Sequence, residues 1–267
     1  MKRIKFKNIS FSYGNKKILN DISFELKQGD FLNIIGSNAS GKTTLIKILT
    51  RLIKSENKIY YDSCLINDVS IDEFRKKIFY VANDINNVFL TNSVLEEIEY
   101  VLEELNYKDE NLEQRKTEIL YSFNMFDIIN MNINELSDGQ KQKLLCVIAL
   151  ISQKELIIFD ESFSMMDFSQ KHIIFTYLKQ LKEKGTIIIN ITHDIEDVLI
   201  SNKTLVLHLG NKILFGDNDY VFSYIDLLNS FDIPVPFIYR LNYELISNGK
   251  LQYPILDIRK LVDFLWQ

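Results

Sequence analysis

Proline is almost missing from this chain of 267 residues, and its three copies, Pro234, Pro236 and Pro254, all lie near the end. Backbone punctuation therefore changes late, and a second region is expected there. Cysteine is scarcer still. Cys64 and Cys146 stand far apart in the sequence, both in stretches that read as apolar, so neither a disulfide framework nor a zinc-ligand spacing can be built from them. A reduced, cytosolic setting is the expectation. Long apolar runs are also lacking: the longest, Leu144 to Ile151, falls well short of the roughly 20 residues a membrane helix needs. Met1-Lys2-Arg3 is not followed by a signal-peptide core. Any membrane role is expected to run through a partner. Nor is there a basic excess, because Lys+Arg 31 against Asp+Glu 36 leaves a net charge of −5. No nucleic-acid partner is expected from that balance.

What is present is an ordinary globular composition, 46% hydrophobic and 25% charged, which excludes disordered and collagen-like classes. Ile4 to Phe11 and Ile18 to Leu26 read as strands of an antiparallel sheet. Phe31 to Ile35 is a short buried-strand pattern ending at Gly36, and Thr43 to Ile53 then carries helical spacing through Leu45, Ile48, Leu49 and Leu52. The apolar positions Val94, Ile98, Val101, Leu102 and Leu105 mark an amphipathic helix, with a second helix expected from Asp109 to Asn124. Leu156 to Phe159 and Thr186 to Ile191 read as buried strands, separated by a helix striped by Ile173, Tyr177 and Leu181. Strand and helix in alternation predict a parallel sheet covered by helices, hence an α/β fold.

Gly36-Ser37-Asn38-Ala39-Ser40-Gly41-Lys42-Thr43 fits the phosphate-loop pattern and lies between the expected strand and helix. Such a loop turns backbone N–H groups toward phosphate oxygens, and the helix behind it adds the positive end of its dipole. Lys42 brings a charge to the β- and γ-phosphates, the Thr43 hydroxyl suits Mg²⁺, and Thr44 completes the nucleotide-binding stretch. Asp160-Glu161 follows the strand Leu156 to Phe159, which places Asp160 to hold Mg²⁺ and Glu161 to act as general base toward water. Leu136-Ser137-Asp138-Gly139-Gln140 opens the apolar helix running to Ile151, with Ser137 as its expected N-cap.

In this order and company the chain resembles the ATP-binding subunit of an ABC transporter, whose signature motif usually reads LSGGQ. The resemblance implies a P-loop ABC ATPase fold with a RecA-like core, an antiparallel β subdomain, a helical subdomain (about 84–150) and a C-terminal extension. It implies a nucleotide-binding domain over 1–216 and an extension over 217–267 that serves dimerisation. It further implies that Tyr13 stacks on adenine, that Asp167 is the D-loop aspartate and that His193, in Thr-His-Asp, senses the γ-phosphate. Ser137, Gly139 and Gln140 would act in trans on the nucleotide of a second ABC ATPase subunit. The cofactors implied are ATP and Mg²⁺, and the setting is the cytoplasmic face of a membrane beside integral transport subunits. Asn83-Asp84-Ile85-Asn86-Asn87-Val88-Phe89 and Phe231 to Pro236 are similar to the energy-coupling-factor branch, which drives vitamin or metal-ion uptake.

Three positions depart from the family pattern. Asn83 stands for the glutamine that reaches the metal and the attacking water, Asp138 for a signature glycine, and Ser162 for a proline after the catalytic glutamate. Ser93 to Asn124 carries nine acidic residues against Lys108, Arg115 and Lys116, read either as a solvated helix face or as a docking face for basic coupling helices. Two other functions stay open: an ABC ATPase acting on DNA or ribosomes, and a regulatory module that binds ATP with weak hydrolysis.

Overall fold

A computed structural model describes residues 2–56, 58–85 and 88–266; Asn86 and Asn87 of the loop singled out above lie outside the described residues. The chain opens with β1 (Arg3–Tyr13) and β2 (Lys16–Lys27), a hairpin in which Ile4, Phe6 and Ile9 on one strand and Leu19, Ile22, Phe24 and Leu26 on the other face inward. Next come β3 (Phe31–Gly36), α1 (Lys42–Leu49), β4 (Lys58–Tyr61), β5 (Cys64–Leu65), α2 (Ile71–Lys77) and β6 (Ile78–Val81). The helical region is α3 (Val94–Glu104), α4 (Asp109–Ser122) and α5 (Asp138–Ile151). After it run β7 (Leu156–Asp160), α6 (Phe168–Glu183), β8 (Ile187–Ile191), β9 (Lys203–His208) and β10 (Asn211–Asp217). The described residues close with α7 (Asn218–Phe222), α8 (Ile225–Ser230), α9 (Phe237–Ser247) and α10 (Ile258–Leu265).

Two sheets result. One is four-stranded and antiparallel, in the order β2-β1-β4-β5; the other is six-stranded, β10-β9-β3-β8-β7-β6, parallel except for the edge pair β9 and β10. Strand alternation sorts the parallel sheet's side chains. Leu32, Ile34, Leu156, Ile158, Ile187 and Ile189 meet α1 and the inner face of the antiparallel sheet. Phe31, Ile157, Phe159 and Ile188 face the opposite way, into a core with α3, α5 and α6. Buried on both faces, these strands read as continuous apolar runs.

The stretch proposed as an extension is packed in two parts. Val221, Phe222, Ile225, Leu228, Ile233 and Val235 share a core with Ile35, Val206 and Leu214 of the parallel sheet. Ile238, Leu245, Leu251 and Leu261 form a separate small cluster between α9 and α10.

Two expectations differ from the structure. The helix expected to reach Ile53 ends at Leu49, because the Arg51 N–H turns back to Ile48 O (3.1 Å) and Leu52 N–H to Lys47 O (2.9 Å) with Arg51 at φ 58°. That is a Schellman closure without its usual glycine, so no sequence signal marks it. Cys64, expected among apolar neighbours, is exposed in the β4–β5 hairpin, whereas Cys146 is fully buried in α5.

Candidate nucleotide-binding site

The loop from Gly36 to Gly41 connects the centre of the parallel sheet to α1, and its shape depends on backbone angles that favour glycine. Gly36 (φ 151°) has no room for a Cβ, which would meet the carbonyl of Leu207 on β9. Gly41 (φ 98°) likewise turns the chain into the helix against Leu19. Within the loop the Ser37 and Ser40 hydroxyls are buried and find no hydrogen-bond partner among the described residues. Unpaired buried donors are costly, and here they line an anion cradle at a helix N-terminus, a fit for phosphate. Lys42 is buried and donates through Nζ to Gly36 O (2.9 Å) and Ser37 O (3.1 Å), crossing the loop it belongs to. Burial pulls its pKa below the usual lysine value, against the opposing pull of Glu161 and Asp160. Asn38, Ala39, Ser40, Gly41, Lys42, Thr43 and Thr44 share a cavity of about 260 Å³ with Glu161 and His193.

Asp160 ends β7 almost fully buried, with the Thr43 hydroxyl 3.4 Å from its Oδ1 and the Tyr80 hydroxyl donating to Oδ2 at 3.0 Å. Burial raises the Asp160 pKa, partly offset by hydrogen bonds from Tyr80 and Thr43, while the nearby Glu161 charge adds to the rise. A carboxylate and a hydroxyl side by side are hard oxygen donors, the type Mg²⁺ takes alongside phosphate oxygens. Glu161 is held at φ 56°, an uncommon backbone angle for a side-chain-bearing residue, with its N–H donating to Ile191 O at 2.9 Å. Strain of this kind concentrates at functional positions. It directs the Glu161 carboxylate to His193, whose Nε2 lies 2.9 Å from Glu161 Oε1.

Other expected residues lie outside that cavity wall. Ser137 caps α5, its hydroxyl accepting from the Gln140 N–H (3.3 Å) while Gln140 Oε1 accepts from the Ser137 N–H (2.9 Å). Gly139 passes close to the chain, since a Cβ there would sit 3.3 Å from Met165 O. Asp138 is exposed in the first turn of the same helix. Tyr13 is half exposed at the end of β1, edge-on to Phe11 with centroids 5.0 Å apart. Asn83 is exposed beyond the end of β6, and Asp167 is exposed as the N-cap of α6.

Sequence reasoning missed Tyr80 and gave Ser162 no role. Tyr80 lies on β6, paired in register with Ile158 of β7, and so reaches the carboxylate two residues farther along that strand. Ser162 is fully buried and donates to Val81 O at 3.3 Å, tying the chain after β7 to the end of β6. Both contacts cross between strands distant in sequence; only knowing that β6 neighbours β7 would have exposed them.

The ABC transporter family profile matches residues 19–164, from the β2 strand through the segment after Glu161. The chain belongs to this family. The energy-coupling factor transporter ATP-binding protein EcfA1 of Oenococcus oeni is 30% identical, aligned over 100% of this chain and 98% of its own length. Its namesake from Fusobacterium nucleatum is 34% identical over 99% of this chain and 98% of its own. Among solved structures, the dimeric structure of a bacterial ABC transporter cassette superposes with TM-score 0.68 at 28% identity, covering 80% of this chain and 98% of that one. This ABC protein is a P-loop ATPase, similar to the energy-coupling-factor ATPases along nearly its whole length.

Proposed function

We propose that the chain is the ATP-hydrolysing subunit of an energy-coupling-factor type importer for a vitamin or metal ion, working as an ATP-sandwich dimer. The observation that carries the reading is the Glu161–His193 contact of 2.9 Å at the wall of the phosphate-loop cavity. A carboxylate beside a phosphate loop, oriented by an imidazole, is placed to take a proton from water attacking a γ-phosphate. Lys42 and the loop N–H groups hold the phosphates, and the Ser37 and Ser40 hydroxyls find acceptors there. Thr43 and Asp160 would hold Mg²⁺, and Tyr80 keeps the Asp160 carboxylate in one orientation. When bound, Mg²⁺ neutralises phosphate charge. Tyr13 offers an exposed ring for adenine, and Asn83, at the surface beyond β6, would take the place of the family's glutamine.

Ser137, Gly139 and Gln140 stand apart from the chain's own cavity, which supports their use on the nucleotide of a second ABC ATPase subunit. Among the described residues no helix is long and apolar enough to cross a membrane. Integral membrane subunits would carry the transport path, with this chain bound at their cytoplasmic face. In α10, Ile258, Val262 and Leu265 leave one exposed apolar face, which supports pairing through the region 217–267.

Glu161→Gln tests the reading. Hydrolysis should fall roughly 10²- to 10⁴-fold, the usual loss with a positioned general base. ATP binding should persist, and an ATP-bound dimer should accumulate in light scattering. Turnover near the parental rate in the assembled complex would overturn the assignment of Glu161.

A further inference from the structure

Glu161 and His193 are supplied by different loops. One leaves β7 and enters α6; the other leaves β8 and leads into the turn Ile195–Ile200. A contact of 2.9 Å between two loops persists only if something fixes the loops to each other. Lys171, one turn into α6, spans them: its Nζ donates to Asp194 Oδ2 at 2.8 Å and to Asp197 Oδ1 at 3.1 Å. We propose that Lys171 is a positioning residue that fixes the His193 loop against the start of α6 and thereby sets the Glu161–His193 contact. The inference rests on the reading of Glu161 and His193 given above.

The surrounding hydrogen bonds make the link stiff. Asp194 N–H donates to the Thr192 hydroxyl at 3.0 Å, closing a turn around His193, and that hydroxyl donates to Asp197 Oδ2 at 3.0 Å. Asp197 is itself anchored from the sheet, since Asn33 on β3 donates to its backbone oxygen at 3.3 Å and Asn190 on β8 donates to Asn33 at 2.8 Å. Of the residues flanking His193, Thr192 is therefore bound to one of the carboxylates that Lys171 joins, and Asp194 carries the other. Lys171 is mostly buried, and Asp197 almost fully so, which limits screening of the pair. Burial by itself would lower the Lys171 pKa, but its hydrogen bonds to Asp194 and Asp197 outweigh that and hold the ammonium charged.

The same helix links outward. Asp167 caps α6, and the Lys171 N–H donates to the Asp167 carbonyl at 3.0 Å. Beside this cap Met165 and Phe168 are exposed, so a subunit seated there would bear on α6 and, through Lys171, on His193. Hydrophobic anchoring of α6 by Ile174 and Leu178 does not depend on the ammonium. Removing the charge should therefore disturb the loop more than the fold.

Lys171→Met keeps the stem and deletes the charge. In the full-length chain within its assembled complex, kcat for Mg-ATP should fall roughly 10- to 100-fold, the usual cost of a reacting group misplaced by about 1 Å. The KM for ATP should change little, and Lys171→Arg should restore most of the turnover. In a His193→Ala background, Lys171→Met should add almost nothing, because its effect runs through His193. Should Lys171→Met not fold, Asp194→Asn, at a half-exposed partner, should give the same loss and the same non-additivity. Full turnover in Lys171→Met beside an impaired His193→Ala would overturn this inference alone, as would losses that multiply in the double variant. Parental turnover in His193→Ala would remove the reading of His193 and this inference together.

Discussion

Asp138 puts a carboxylate into the first turn of α5, where unpaired N–H groups and the helix dipole stabilise negative charge. In the proposed sandwich that same helix end would receive the partner's γ-phosphate, so the carboxylate and the phosphate compete for one positive region. Repulsion between them, in an interface that loses water on closing, should outweigh the roughly 0.3–1 kcal/mol that Asp138 gives its own helix. Asp138→Gly should therefore tighten ATP-driven dimerisation in the Glu161→Gln background, read by sedimentation against ATP concentration. An unchanged dimerisation curve would mean that the side chain turns to solvent. Ser137 needs no such rearrangement: its hydroxyl accepts from Gln140 in the cap, which leaves its own proton free to donate to a phosphate oxygen.

Elements were legible where their signal is local. The β3–loop–α1 junction, the capped start of α5 and the apolar strands β7 and β8 lie where spacing and residue type placed them, although α1 stops at Leu49 and not Ile53, because each needs only its own stretch of chain. Contacts that cross the sheet were not: Tyr80 to Asp160, Ser162 to Val81 and Lys171 to Asp197 depend on which strands and loops become neighbours. Nor does a sequence show that Glu161 adopts φ 56°. The α3 helix gives an intermediate case. Glu97 was grouped with an acidic outer face, yet it is buried, in phase with Val94, Val101 and Ile98 on the helix's inner side. The helical period held that information, but a charged residue there ran against the habit of buried positions. Its carboxylate accepts from Leu90 N–H (3.1 Å), Thr91 N–H (2.9 Å) and the Thr91 hydroxyl (2.8 Å), fastening the loop that leads into α3. Glu97→Ala leaves these donors without their acceptor and should cost about 1–3 kcal/mol in denaturant unfolding. Hydrogen exchange should show the Leu90 and Thr91 amides losing protection first; unaltered protection there would refute the anchoring role.

At the scale of the whole molecule, the acidic helical region is smaller in effect than its composition suggests. Lys116 neutralises Glu99 (2.7 Å) and Glu113 (2.6 Å), Arg115 meets Glu118 (2.9 Å), Glu96 serves the cap of α3, and Glu97 is internal. What faces outward at the end of α3 is led by Glu103 and Glu104. In the proposed complex, the loop beyond Asn83 and the helices that follow it form the surface against the membrane subunits, and this pair supplies its charge. Exposed pairs of this type aid encounter and register more than affinity, and salt screens them beyond about 10 Å at 0.1 M. Glu103→Lys combined with Glu104→Lys should accordingly weaken assembly, with the deficit growing as salt is lowered and fading as it is raised. Affinity purification of the parent chain from detergent-solubilised membranes should bring down an integral membrane protein and a second ATPase chain. Recovery of ribosomes or DNA in their place, with no membrane protein at any salt concentration, would overturn the transport role. The phosphate loop, Asp160, Glu161 and His193 would then keep their chemistry, because it rests on contacts inside this chain.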